Sequence, residues 1–303
     1  MSKALSLRDA IAAYVRDGMS IAMGCALESS IPFAASHEII RQRRKDLTLI
    51  GPISDIQFDQ LIGAGCVKKI QASWVGNVAA GLGHNFRRAA EHGQPVPLAI
   101  EEHSNFTIGL ALQAAAMGLP FLPTRSIKGS DIAKESHFAR VRCPFSGEEL
   151  LAVAAIQPDL AIIHVQRADD QGNAHLWGNY GVVREAALAA KKVILTCEEL
   201  VDHSVIVSDP NRTVIPGFAV TSVVHEPNGS FPSPTQGYAR RDDAFYFEYH
   251  QATRTVEGFH KWLDKYVFGV KNHREFLELL GPERRAALRP EGELFAPPVS
   301  FNY

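Results

Sequence analysis

The chain is poor in the features that mark several broad classes of protein. Its 303 residues include four cysteines, four methionines and three tryptophans. Cys25, Cys66, Cys143 and Cys197 form no CxxC pair and stand at no histidine spacing typical of zinc, so neither a disulfide scaffold nor a metal site is expected. In apolar surroundings such as Val193–Cys197, a thiol is expected to serve as a small buried hydrophobe in a reducing compartment. No apolar run approaches the roughly 18 residues needed to cross a bilayer. No apolar segment with a cleavage site opens the chain either, so a cytoplasmic protein without membrane contact is expected. An excess of one charge is also lacking, with 31 Lys and Arg against 33 Asp and Glu. The densest basic cluster, Arg41 to Lys45, closes a helical pattern, where the helix dipole favours cations. A nucleic-acid partner is not expected.

What is present is an alternation of apolar strands and helices. Met19–Met23, Leu47–Ile50, Lys69–Val75, Pro97–Glu101, Leu160–Val165 and Val193–Cys197 read as strands, most of them apolar enough to be buried on both faces. Between them come a helix opened by Ser6 with Asp9 as a capping-box partner, one reaching about Arg44, Asp55–Ile62, Thr107–Met117 closed by Gly118, and Val182–Ala190. This order predicts an α/β fold, a mostly parallel sheet with helices on both faces. The last third changes character. Short strands near Val220–Val224 lie amid Pro, Gly and Ser, aromatics crowd Phe245 to His250, and amphipathic helices run to about Leu288. No linker marks a boundary, so residues 1–303 are expected to form one domain with an irregular and helical extension from about 239. The Pro-rich tail at 290–303 is expected to lie extended over a surface.

Ligands of open α/β sheets gather at the carboxyl ends of the strands, so the strand exits carry the candidates. After the first strand come Gly24, Ser29 and Ser30, which suit either an anion loop or a capped helix start. Asn105 stands ahead of a helix that it can cap. Glu101 and Glu102 point to opposite faces, so at most one faces a site. Glu198 and Glu199 share that ambiguity, and a structural role is favoured for all four. His103 and His175 show no acid partner and read as loop histidines. The Gly76–Gly83 stretch lacks the spacing of a dinucleotide loop. The aromatic run from Phe245 to His250 is read as core rather than as the lining of an acyl pocket.

Several segments resemble the α-chain of the family I coenzyme A-transferases. They are ADDQGN at 168–173 with AAKKVILTCEELV at 189–201, MSIAMGCALESSIPFAASHEII at 19–40, VKKIQASWVGN at 67–77 with GLGHNFRRAAEHG at 81–93, EEHSNFTIGLALQAAAMGLPFLPTRSIKGSD at 101–131, and IPGFAVTSVVHEPNGSFPSPTQGYA at 215–239. The glutaconate branch is the nearest in likeness. The resemblance implies CoA exchange between an acyl-CoA and a carboxylic acid by a ping-pong route, with the CoA thioester as substrate and no permanently bound cofactor. It implies that Gly24, Ser29 and Ser30 contact coenzyme A, although this chain keeps only one of the glycines many relatives carry there. Gly76, Asn77 and Gly81 would line the site, and Arg125, Lys128, Ser130 and Asp131 would meet a carboxylate or phosphates, or form interface ion pairs. Asn105 falls where 3-ketoacid transferases carry an oxyanion-supporting glutamine and ring-opening hydrolases a catalytic glutamate, so transfer is the expected chemistry. No Ser-Glu-Asn-Gly-like motif occurs, so the nucleophilic glutamate is expected on a β-type subunit in an αβ or α2β2 assembly. The alternatives are an acyl-CoA ring-opening hydrolase or decarboxylase on the same αβ fold, and a non-catalytic metabolite sensor.

Overall fold

The computed structural model describes residues 2–290; the tail beyond Pro290 lies outside them, and so does its expected path. The chain opens with α1 (Leu7–Tyr14), β1 (Ser20–Ala22), α2 (Phe33–Arg41), β2 (Leu47–Ile53), α3 (Ile56–Gly63) and β3 (Val67–Trp74). A small hairpin, β4 (Gly76–Asn77) and β5 (Gly81–Leu82), leads to α4 (His84–His92), β6 (Ala99–Glu102) and α5 (Asn105–Ala116). Then come β7 (Phe121–Thr124), β8 (Phe138–Arg142) and β9 (Glu149–Ala154). They are followed by β10 (Leu160–Ala168), β11 (Ala174–His175), α6 (Val183–Ala189), β12 (Val193–Leu200), α7 (His203–Ser208), β13 (Thr213–Ile215) and β14 (Ser222–His225). Four helices close the described chain: α8 (Asp243–Ala252), α9 (Val256–Leu263), α10 (His273–Leu280) and α11 (Pro282–Ala287).

The main sheet runs β14-β12-β10-β1-β2-β3-β6 with every neighbour parallel, and β11 and β13 add to it antiparallel. Apolar strands explain the burial: Ile21, Leu49, Ile70, Leu160, Ile162 and Ile194 are each almost fully enclosed. One core faces α1 to α4 and takes in Phe245, Tyr246, Tyr249, Phe259, Trp262 and Phe276, so the aromatic run serves the core apart from the exposed Phe247. The second core packs α5 and α6 on the opposite face. The structure thus has the mostly parallel sheet covered on both faces, with a helical C-terminal region folded against it.

Three features depart from the sequence reading. β7, β9 and β8 form a separate antiparallel sheet that leans on α5 through Ala111, Phe138 and Val153. α4 is an additional helix that no apolar periodicity marks, because its residues are mostly polar and only Asn85 and Ala89 are buried. Cys143 is half-buried on the loop after β8, while burial pushes the Cys25, Cys66 and Cys197 thiols up to about 12.

Burial also pushes the Glu226 carboxyl up to about 7, with Arg41 opposing the shift and Glu38 adding to it. An acid whose pKa is higher folded than unfolded loses stability as pH rises from the ordinary carboxylate range to the folded value. Glu226→Gln is therefore expected to gain stability over the parent by up to about 1.4 kcal/mol per pH unit from pH 4.5 towards 7, then to hold that advantage. Urea melts across that range measure it; an advantage that shrinks with rising pH would refute the assignment.

Candidate active site at the strand exits

β1 is the central strand, with β2, β3 and β6 on one side and β10, β12 and β14 on the other, so the order reverses between β1 and β10. That switch point is where an open sheet offers a crevice. Here the chain fills it. The Val182 amide donates to the Cys25 carbonyl at 2.8 Å, and a Cβ on Gly181 would sit 2.2 Å from that oxygen. The candidate site lies to the other side, along the exits of β1, β2, β3 and β6.

These exits are linked in a row. Gly24 turns with φ +67° directly beneath Ser54, where a Cβ would come within 2.6 Å of the hydroxyl. Gly51 likewise lies under Met23 and Ser54. Next, the Ser73 hydroxyl reaches the Pro52 carbonyl at 2.5 Å and contacts Asn105 Oδ1. Asn105 is exposed at the first position of α5, where the helix dipole is positive. Its side chain does not cap the helix. Ser104 does so, accepting from the Thr107 amide at 3.1 Å while Thr107 Oγ1 accepts from the Ser104 amide at 2.9 Å. With Oδ1 turned to Ser73, the Asn105 Nδ2 donor has no partner among the described residues.

A second cluster stiffens the floor of the row. Asp55 holds φ +49° and ψ −141°, a region that strains any residue with a side chain. Its carboxylate accepts from the Val78 amide at 3.0 Å and from Arg241 at 2.9 Å, and Arg241 also pairs with Glu28 and Asp243. Burial pushes the Asp55 carboxyl up to about 6, against the pull of Arg241. One arginine thus ties the first loop, the β2 exit, the small hairpin and the start of α8. No local pattern announces it, because its partners Asp55 and Glu28 lie 186 and 213 positions away.

The other candidates are placed as follows. Ser29 donates to the Ala26 carbonyl at 3.3 Å, and Ser30 takes φ +49° with its amide on the Pro234 carbonyl. Neither caps α2: its N-cap is Pro32, and the Ala34 amide is spent on the Gly229 carbonyl. Gly76 packs on Trp74, and Gly81 turns with φ +98° in open space. Asn77 is turned inward, donating to the Tyr246 carbonyl and accepting from the Ala79 and Ala80 amides. Its side chain is spent on structure. Arg125, Lys128 and Ser130 sit at the antiparallel sheet, where Arg125 is bidentate to Glu148, Lys128 donates to the Glu149 carbonyl and Ser130 to the Ile127 carbonyl. Asp131 pairs with Lys134.

Glu101 faces inward and Glu102 outward, as strand alternation requires. His103, with Lys69 and Gln71 beside it, holds the Glu101 carboxyl well below the usual carboxylate range even though burial opposes this. It is a poor proton acceptor at neutral pH. His103 lies in the short loop between β6 and α5 but is buried there with that acid partner 3.5 Å away, so it is not the exposed, unpartnered histidine expected. The i, i+2 spacing of Glu101 and His103 on one strand face was the signal available for the pair. His175 is buried against the Ile206 carbonyl, Glu198 bonds His164 and the Asn228 amide, and Glu199 pairs with Arg167. In the 168–173 turn, Asp169 accepts from the Gln171 and Asn173 amides and from His203, so the turn is a structural tie.

Asn105 Nδ2 is thus the unpartnered donor described along the row, and the Cys25 thiol and the Asp55 and Glu101 carboxylates near it are buried or already engaged. A profile of the coenzyme A transferase family matches residues 4–226. The A-subunit of 3-oxoadipate CoA-transferase from Pseudomonas knackmussii is 44% identical over 277 residues, covering 91% of this chain and 97% of that one. The crystal structure of glutaconate coenzyme A-transferase from Acidaminococcus fermentans superposes with a TM-score of 0.90 at 36% identity, covering 95% of this chain and 96% of that chain. The decarboxylase AibA/AibB superposes with a TM-score of 0.75 at 30% identity, over 87% of this chain and 100% of that one. The chain belongs to the coenzyme A transferase family and is an α-type, glutaconate-like subunit of a CoA-transferase. Among its described residues no helix is long and apolar enough to cross a membrane.

Proposed function

We propose that this chain is the substrate-orienting half of a CoA-transferase that exchanges coenzyme A between short dicarboxylic acids of the 3-oxoadipate or glutaconate type. A glutamate carboxylate on a separate β chain would attack the thioester carbonyl of an acyl-CoA and expel the CoA thiolate, leaving a mixed anhydride. The thiolate then attacks the glutamyl carbonyl, releases the first acid and leaves a glutamyl-CoA thioester; the second acid reverses the sequence. Each addition places negative charge on a carbonyl oxygen, and the Asn105 amide is the donor this chain offers to it. The free amide at the head of α5, fixed by Ser73, is the observation that carries the reading. Exposed Trp74, Val78, Leu82 and Phe106 border the row, and burial under a partner chain accounts for so much apolar surface there.

Substrate choice tests the reading. The complex with its β chain is expected to move CoA onto 3-oxoadipate or glutaconate far faster than onto acetate or butyrate. Loss of the thioester without an acceptor, as free acid or carbon dioxide, would favour the hydrolase or decarboxylase alternative, for which the AibA/AibB likeness speaks.

Ser73 orients the amide. The one Ser73 proton can go to the Pro52 carbonyl or to Asn105 Oδ1, and given to Oδ1 it turns the Asn105 Nδ2 donor outward. Ser73→Ala is expected to lower kcat about tenfold with a smaller change in KM. Recovery by Ser73→Thr would support the orienting role, and an unchanged kcat in Ser73→Ala would remove it.

A further inference from the structure

The exit of β6 carries a group of side chains that the transfer reading does not use. Glu101, His103 and His137 each present one ligand atom, and these atoms all lie within 4.8 Å of one another. Glu101 Oε1 and His103 Nε2 are 3.5 Å apart, close to the separation of two ligands on one tetrahedral ion with bonds of about 2.1 Å. Both rings are held from behind, as rings of metal-ligating histidines are. His103 Nδ1 meets Thr107 Oγ1 at 3.3 Å, and His137 Nε2 meets the Glu102 carbonyl at 3.0 Å. With an ion bound, protons on those nitrogens leave His103 Nε2 and His137 Nδ1 as lone-pair donors, and the proton that His103 Nε2 turns to Glu101 without the ion is released or moves to Nδ1. The carboxylate is supported in the same way by Lys69 on Oε2 at 2.6 Å and Gln71 on Oε1 at 2.5 Å. The rings lie 4.4 Å apart, and Phe138 packs on both.

We propose that Glu101, His103 and His137 bind one divalent ion of the zinc class through a two-nitrogen, one-oxygen set completed by water. Nitrogen and carboxylate donors suit such an ion, and a calcium or magnesium site would be built of oxygens. The Lys69 ammonium stays on the outer oxygen, so the ion takes Oε1 alone. Its position gives it a structural task. His137 precedes β8 of the antiparallel sheet, whereas Glu101 lies in β6 and His103 directly follows it, so the ion clamps that sheet to the edge of the main one. The clamp sits two residues from Asn105 and braces the start of α5.

The test needs only the full-length chain and is independent of the transferase reading. Chelator-treated protein is titrated with Co2+ and followed by its visible d–d absorption, then by displacement with Zn2+ in a calorimeter. One saturable ion per chain with tetrahedral-type bands is expected, as is binding weakened by at least about tenfold in both His137→Ala and Glu101→Gln. His92→Ala, which removes an exposed histidine on α4, is expected to leave binding unchanged. Absence of saturable binding by the parent chain, or equal loss in the His92 variant, overturns the proposal. Circular dichroism shows whether the variants fold, and Glu101→Gln decides the matter if His137→Ala does not.

Discussion

Asn105→Ala is expected to lower the kcat of the assembled enzyme by about 10²–10³ while leaving its unfolding temperature nearly unchanged. The two halves of that statement have separate causes. Catalysis suffers because a preorganised amide donor aimed at a developing oxyanion is worth about 3–4 kcal/mol of barrier. Stability does not, because the head of α5 is closed by Ser104 and Thr107, and the Asn105 side chain is exposed. Asn105→Gln keeps the amide one methylene further out and is expected to recover part of the rate. Asn105→Asp puts a negative charge beside the forming oxyanion and is expected to fare no better than alanine. A fall in stability that matches the fall in rate would instead mark Asn105 as structural.

The largest effect on stability is expected at Asp59. Its carboxylate is fully buried and accepts from the Tyr249 hydroxyl at 2.6 Å, the Phe86 amide at 2.7 Å and Asn85 Nδ2 at 3.0 Å. These bonds join α3, α4 and α8, and two glycines make room for them. A Cβ on Gly83 would sit 2.7 Å from Asp59 Oδ1, and one on Gly63 would sit 2.4 Å from Asn85. Asp59→Ala removes the acceptor of the Tyr249 hydroxyl and the Phe86 amide and one acceptor of Asn85 Nδ2, which keeps the Tyr249 hydroxyl, and each orphan costs about 1–3 kcal/mol. A loss of about 4 kcal/mol is therefore expected in urea melts, beyond the usual range for one substitution. Asp59→Asn keeps one acceptor oxygen and is expected to cost roughly half as much. A loss below about 1 kcal/mol in the alanine variant would show that water or repacking replaces the network.

How far the sequence could be read follows the same physics. β1, β2, β10 and β12 were legible because a parallel strand covered on both faces is apolar along most of its length, and β3 because its apolar residues alternate with polar ones. β7, β8 and β9 were not, since Ala139, Arg140 and Glu149 are exposed and the pattern there is mixed. β2 continues through Gly51 and Pro52, which read as its end, because pairing with Ala72 and Trp74 outweighs the local turn signal. α5 begins at Asn105, two residues before Thr107 where its start was read, and the capping role open to Asn105 belongs to Ser104. Asn77 looked like a loop residue free for a ligand; its three hydrogen bonds depend on Tyr246, Ala79 and Ala80 meeting it in space. The pairing of His103 with His137 spans 34 positions and a sheet that the mixed pattern hides, so no local spacing announced it.

The account rests on a division of labour: this chain polarises the thioester, and another supplies the attacking carboxylate. The most direct test is to incubate the purified complex of this chain and its β chain with an acyl-CoA, reduce with borohydride and map both chains by mass spectrometry. The account predicts a reduced glutamate on the β chain and none among the glutamates of this one. A modified glutamate on this chain, Glu101 or Glu198 included, would contradict it, as would acyl-CoA turnover that leaves neither chain modified.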